Sequence, residues 1–150
     1  MASLPMRVAI GSDHAGLLLR GVVKAALFAH GVEVNDLGPQ EPTSVDYPDY
    51  AAKVCAEVTA GHADLGVLVC GTGLGMSIAA NKVQGIRAAV CRTEFEARLA
   101  RQHNDANVLC LGERVTGPGL AEAILAAFLS AEFEGGRHAK RVDKVKALDG

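Results

Sequence analysis

Aromatic side chains are nearly missing from this chain: they make up 4% of its 150 residues, against 49% apolar residues in all. A core built from such material is aliphatic, packed from Val, Leu, Ile and Ala. No apolar run reaches the roughly 20 residues that a membrane-crossing helix needs, and Met1-Ala2-Ser3-Leu4-Pro5 is too short for a signal peptide. Neither sign of charge dominates. A net charge of −2 carries no polyanion-binding signature, which argues against nucleic acid as the main partner. The four cysteines, Cys55, Cys70, Cys91 and Cys110, include no C-x-x-C pair. Three sit in or at the ends of apolar runs, where a reduced Cys behaves as a small apolar residue. A cytoplasmic protein forming one domain over 1–150 is the simplest expectation.

Short apolar runs alternate with amphipathic stretches from end to end. Strands are expected over 6–10, 32–37, 65–69, 86–90 and 107–111, and helices over 15–30, 49–60, 76–83, 93–103 and 118–131. Gly31 and Gly61 stand where glycines end helices, and Pro118 where a first helical turn tolerates proline. The polar loop over 38–48 is longer than most connections in such folds. After Gly135-Gly136 comes a basic segment, 137–148, which presents Arg137 and Arg141 on one face if it is helical. Five strands alternating with helices imply an α/β fold whose parallel sheet is covered on both faces. No repeat, low-complexity tract or linker divides the chain.

Cys70-Gly71-Thr72-Gly73-Leu74-Gly75 carries the most chemical information. It begins where the apolar strand Leu65-Gly66-Val67-Leu68-Val69 gives way to a glycine turn. Ligands of open α/β sheets bind outside the carboxyl ends of the strands. Glycines at alternate positions let the backbone approach a ligand and turn N–H groups toward it. The helix expected next has an N-terminus that favours an anion and can lower the pKa of Cys70. A thiolate beside an oxyanion-stabilising turn is a credible base or nucleophile.

Other polar groups are expected on the same rim. These are Gly11-Ser12-Asp13-His14, Arg101-Gln102-His103-Asn104-Asp105 and Gly112-Glu113-Arg114. Each also has a plain structural reading. Asp13 is an ordinary helix cap, His14 and His103 are loop histidines, and Cys70 is a buried strand-end thiol. Cys55, Cys91 and Cys110 have no glycine turn beside them and keep the inert reading. Arg137, Lys140, Arg141 and Lys144 form a solvated face, although two guanidiniums four apart also suit a phosphate.

Three sharper readings of the turn fail on named residues. A dinucleotide fingerprint needs a third glycine where Met76 stands, and the turn follows the third strand rather than the first. A P-loop needs Gly-Lys-Ser/Thr after the turn, and a cysteine phosphatase loop needs Arg where Met76 stands. No metal site stands out, because the histidines and cysteines lack ligand spacing.

Taken together, five motifs resemble the ribose-5-phosphate isomerase B family. They are Gly11-Ser12-Asp13-His14-Ala15-Gly16, Asp46-Tyr47-Pro48, the run from Cys70 to Ser77, Arg101-Gln102-His103-Asn104-Asp105, and Glu134-Gly135-Gly136-Arg137-His138. The resemblance covers essentially the whole chain in order. It implies a Rossmann-like three-layer α/β/α sandwich around the five-stranded parallel sheet. It also implies a homodimer, able to pair into a tetramer, with active sites shared between subunits and no metal or organic cofactor. The implied reaction interconverts D-ribose 5-phosphate and D-ribulose 5-phosphate, in the pentose phosphate pathway, through ring opening and an enediolate.

On this resemblance Cys70 is the base, the backbone of Gly71, Thr72, Gly73, Leu74 and Gly75 is the anion hole, and the Thr72 hydroxyl bonds near the reacting atoms. His103 opens the furanose ring with Asp13 placed to assist, and Asn104 binds a substrate hydroxyl. His14, Arg114, Arg137 and Arg141 bind the phosphate. One branch of the family replaces the cysteine with a Glu base at the position of Met76, so the chain resembles the cysteine branch. Two alternatives stay open: an isomerase of allose 6-phosphate or another phosphosugar, and a non-catalytic sugar-phosphate sensor.

Overall fold

A computed structural model describes residues 6–149. The segment Met1–Pro5, considered above as a leader, and Gly150 lie outside the described residues. Five strands, β1 (Arg7–Ser12), β2 (Glu33–Asp36), β3 (Leu65–Cys70), β4 (Ala88–Val90) and β5 (Val108–Gly112), form one sheet in the order β2-β1-β3-β5-β4. Every pairing is parallel. The helices are α1 (Leu17–Ala29), α2 (Tyr47–Thr59), α3 (Leu74–Ala80), α4 (Glu94–Asn104), α5 (Pro118–Ser130) and α6 (Arg137–Ala147). The α/β fold expected from the alternation is the one observed.

Central position explains the apolar runs. Every residue of β3 and β5 is buried, whereas the edge strand β2 alternates exposed and half-buried. Side chains of a strand alternate between faces, so each central strand feeds two cores. Val8, Ile10, Val67, Val69, Leu109 and Leu111 pack with α1, α4 and α5, around the fully buried Phe128. Ala9, Leu68, Cys70, Val108 and Cys110 pack with α2 and α3. Among the described residues that second face is covered by α2 and α3, and α3 leaves Leu74 and Ile78, four apart, 48% and 64% exposed.

Two helices start earlier than expected for physical reasons, while α1 starts later, at Leu17, and β4 at Ala88. Helix α2 begins at Tyr47, because Pro48 falls in the first turn, where its missing N–H has no intrahelical partner to lose. Helix α3 begins at Leu74 directly after Gly73, whose φ of +82° ends the strand-to-helix turn. The basic terminal segment is helical, as α6. Helix α4 is capped at Thr93, whose hydroxyl accepts from the Glu96 amide while Glu96 accepts from the Arg92 amide.

Candidate active site

The glycine turn wraps closely around the Cys70 thiol. The Gly73 amide donates to Cys70 Sγ at 3.2 Å, and the Leu74 amide donates to Thr72 Oγ1 at 3.2 Å. Thr72 Oγ1 therefore keeps its own hydrogen for an outside acceptor. Gly75 and Met76 supply the remaining first-turn amides of α3, which have no carbonyl one turn earlier to bond. The turn is pinned from β5. The amides of Glu113 and Arg114 donate to the carbonyls of Cys70 and Gly71 at 2.9 and 3.0 Å. Gly112 has to be glycine: a Cβ there would lie 2.5 Å from the Thr72 carbonyl carbon.

Neighbouring strands bring three more predicted residues to this rim. The Asp13 amide donates to the Val69 carbonyl at 3.2 Å, and the buried carboxylate accepts from the Ala15 amide at 2.9 Å. Asp13 is thus a cap, with one carboxylate oxygen spent on that role. His14 Nδ1 accepts from the Val45 amide at 3.2 Å, which ties the long loop to the rim. The Arg114 guanidinium packs over Gly71, with Nη1 3.4 Å from where a Cβ would stand. The Tyr47 ring covers Gly75 in the same way, with Cε1 2.7 Å from a Cβ position.

The other predicted residues sit elsewhere, which corrects the expectation of a single rim. A helix that follows a parallel strand runs back toward the amino ends, so the end of α4 lies at the opposite edge of the sheet from Cys70. Arg87, just before β4, shows this directly. Its Nε donates to the Asn104 carbonyl at 3.1 Å, and the Asn107 amide donates to the Arg87 carbonyl at 2.9 Å. Cys70 is level with Gly112, five residues further along β5, or roughly 16 Å at the usual strand rise. His103, Asn104 and Arg141 line a groove of about 770 Å³ with Arg87, His138 and Val145. Arg137 begins the helix that walls this groove.

The His103 ring stacks on His138, with centroids 4.1 Å apart and planes 10° apart. Glu134 stands beside both, and ligand atoms of the three residues lie within 4.8 Å of one another. Sequence spacing hid this trio, because it joins α4 to a segment about 30 residues later. In-plane lone pairs of two parallel rings run side by side and do not converge on one ion, so the trio as arranged does not fit a metal centre.

Cys70 differs from the other thiols in accepting the backbone amide of a glycine turn. Burial pushes Cys55 up to about 11 and Cys91 up to about 12, and holds Cys110 well above the ordinary thiol value. These three are packing residues.

One supporting residue, Arg20, escaped the sequence reading, and Glu113, expected on the rim, serves there as an anchor. Arg20 is buried on α1, where its Nη1 donates to Ser12 Oγ at 2.7 Å and its Nη2 to the Pro39 carbonyl. Its Nε also lies 3.5 Å from Asp36 Oδ1. The signal was an arginine on the apolar stripe of Leu19, Val23 and Leu27. Glu113 Oε1 accepts from the Leu19 amide at 2.9 Å and anchors the start of α1 to the end of β5.

Comparison with known proteins settles the lineage. Residues 8–145 match the Ribose/Galactose Isomerase family. The chain belongs to that family. Ribose-5-phosphate isomerase B of Escherichia coli is 49% identical over 143 residues, which is 95% of this chain and 96% of that protein. The structure of ribose-5-phosphate isomerase B from Clostridium thermocellum matches with a TM-score of 0.94 at 53% identity, over 96% of this chain and 97% of the other. D-erythrulose-4-phosphate isomerase of Pectobacterium atrosepticum is 44% identical over 142 residues, 93% of each chain. The chain is accordingly an isomerase. No helix among its described residues is long and apolar enough to cross a membrane.

Proposed function

We propose that this isomerase interconverts D-ribose 5-phosphate and D-ribulose 5-phosphate, as a homodimer in which each active site draws on both copies. The observation that carries the chemistry is the Gly73 amide directed at Cys70 Sγ, beside the open amides of the α3 start. Aldose–ketose isomerisation needs a base for the C2 hydrogen and donors for the oxyanion that forms next to it. His103, assisted by Asp13, opens the furanose ring. Cys70 takes the C2 proton, and the enediolate that results holds its charge against the turn amides and the Thr72 hydroxyl. The proton returns at C1, leaving the ketone at C2. Asn104 holds a sugar hydroxyl, and His14, Arg114, Arg137 and Arg141 hold the phosphate.

The division of these residues between opposite ends of the sheet supports the dimer. One chain offers a base without a ring opener at one end, and a ring opener without a base at the other. A second copy related by a twofold axis joins the two halves twice over. The exposed Leu74 and Ile78, next to the glycine turn, provide apolar surface for that contact. Four unpaired cysteines fit the reducing cytoplasm, where the pentose phosphate pathway would use this reaction.

The test is conversion of ribose 5-phosphate to ribulose 5-phosphate in EDTA by native and Cys70→Ala protein. Native turnover that survives the chelator and falls by about 10²–10⁴-fold without the thiol is the expected result. Full turnover by Cys70→Ala would remove the base assignment. Native protein inert on ribose 5-phosphate but active on allose 6-phosphate or a four-carbon phosphosugar would change the substrate. Binding without turnover of any of them would make the chain a sensor.

A further inference from the structure

Between α5 and α6, the segment Glu134-Gly135-Gly136-Arg137-His138 turns back on itself. Gly135 and Gly136 have φ of +65° and +55°, values that side chains with a Cβ rarely adopt. The reversal carries two side chains onto His103. The His138 ring lies flat on the His103 ring, as described, and Glu134 Oε1 is 3.7 Å from His103 Nε2 and 3.6 Å from His138 Nε2. The Glu134 amide donates to the Gln102 carbonyl at 3.0 Å, so the carboxylate is tied to the last turn of α4. His138 is buried, yet its Nε2 has no hydrogen-bond partner. One carboxylate faces two imidazoles.

We propose that Glu134 and His138 are positioning residues for His103, the stacked ring fixing its plane and the carboxylate holding its proton. The proposal rests on His103 being the ring opener. Charged groups surround the pair from several elements. His103 approaches from α4, Glu134 from the connector, and Arg137 and Arg141 from α6, with Arg87 and Asp149 also lining the groove. Burial holds the His138 pKa below its ordinary value, and His103 and Arg137 push the same way against Glu134. His138 is thereby held toward its neutral form and serves as a fixed plate beneath the His103 ring. A neutral, stacked partner restrains the imidazole that must meet the ring oxygen, and misplacement of such a group is costly.

Two conservative variants separate this role from a structural one. Glu134→Gln keeps shape and loses charge, and His138→Phe keeps the stack and loses the second base. Each is assayed for kcat against pH on ribose 5-phosphate, and for hydrogen–deuterium exchange at C1 of ribulose 5-phosphate in D₂O. That ketose has its C5 oxygen phosphorylated and is acyclic, so exchange needs the base but no ring opening. We expect ribose 5-phosphate turnover to fall about tenfold to a hundredfold in both variants, with exchange within twofold of native. The histidine limb of the pH profile moves down in Glu134→Gln, where the anion is gone. It moves up in His138→Phe, where the competitor for that anion is gone. Equal losses of turnover and exchange, or unmoved pH profiles, would overturn the proposal. His103→Ala is the control: if it retains native turnover, the ring-opener reading fails first, and the positioning role with it.

Discussion

The two ends of the sheet are built differently. At the carboxyl end the thiol, Asp13 and the turn are buried or pinned by backbone hydrogen bonds from β1 and β5. At the amino end His103 is half-buried, Asn104, Arg137 and Arg141 are exposed, and all but Arg137 line an open groove. The proposed base has to be held closely in place, and its end is over-determined by one chain. His103, Arg137 and Arg141 are left less buried, as the proposed sharing of sites between copies requires.

The contrast can be broken from either end. The largest effect should come from Arg20, which braces the rim from below. Its side chain is 9% exposed and that of its partner Asp36 12% exposed, and stranding one member of a buried pair is costly. Arg20→Ala should cost about 3 kcal/mol, at the lower end of the range because Lys24 still reaches Asp36 at 3.1 Å. Denaturant midpoints measure it, and a loss under a tenth of that would mean the brace is idle. Next comes Gly112→Ala, whose methyl collides with the Thr72 backbone. Turnover should fall roughly 10²-fold as the anion hole shifts, and the melting temperature should drop with it, because the methyl meets backbone rather than a movable side chain.

At the amino end, Arg141→Ala should raise KM for the phosphosugar about tenfold, the value of a charge-assisted phosphate contact, with kcat less affected. A kcat effect as large as that of Gly112→Ala would erase the distinction between the ends. The smallest effect concerns pH. The His138 pKa is lowered by folding, so the unfolded chain binds the proton more readily. Stability should be fully present above the ordinary value of 6.5 and decline as pH falls below it. Thermal melts of His138→Phe should show a shallower decline over that window.

Much of this was legible from residue order. The unbroken apolar runs of β3 and β5, helix-ending Gly31, and the cap at Asp13 all act within a few residues of sequence. The thiol and its turn were legible for the same reason, since Gly73 bonds Cys70 from three positions away. Strand order was not, because the crossovers that place β3 beside β1 and β5 depend on how whole layers pack. The rim assignment of 101–105 failed although the information was present: a helix between parallel strands must end at the amino side. The Glu134–His103–His138 cluster and the Arg20 brace were hidden by distance along the chain, which side-chain type alone cannot bridge.

The central claim is that one chain's Cys70 works with another chain's His103. Cys70→Ala and His103→Ala chains, each nearly inactive alone, can be co-expressed with different tags and the mixed dimer purified through both. Shared sites predict that each mixed dimer regains one intact site and about half the native turnover. A mixed dimer as inactive as its parents would place both residues of each site on one chain and contradict the account.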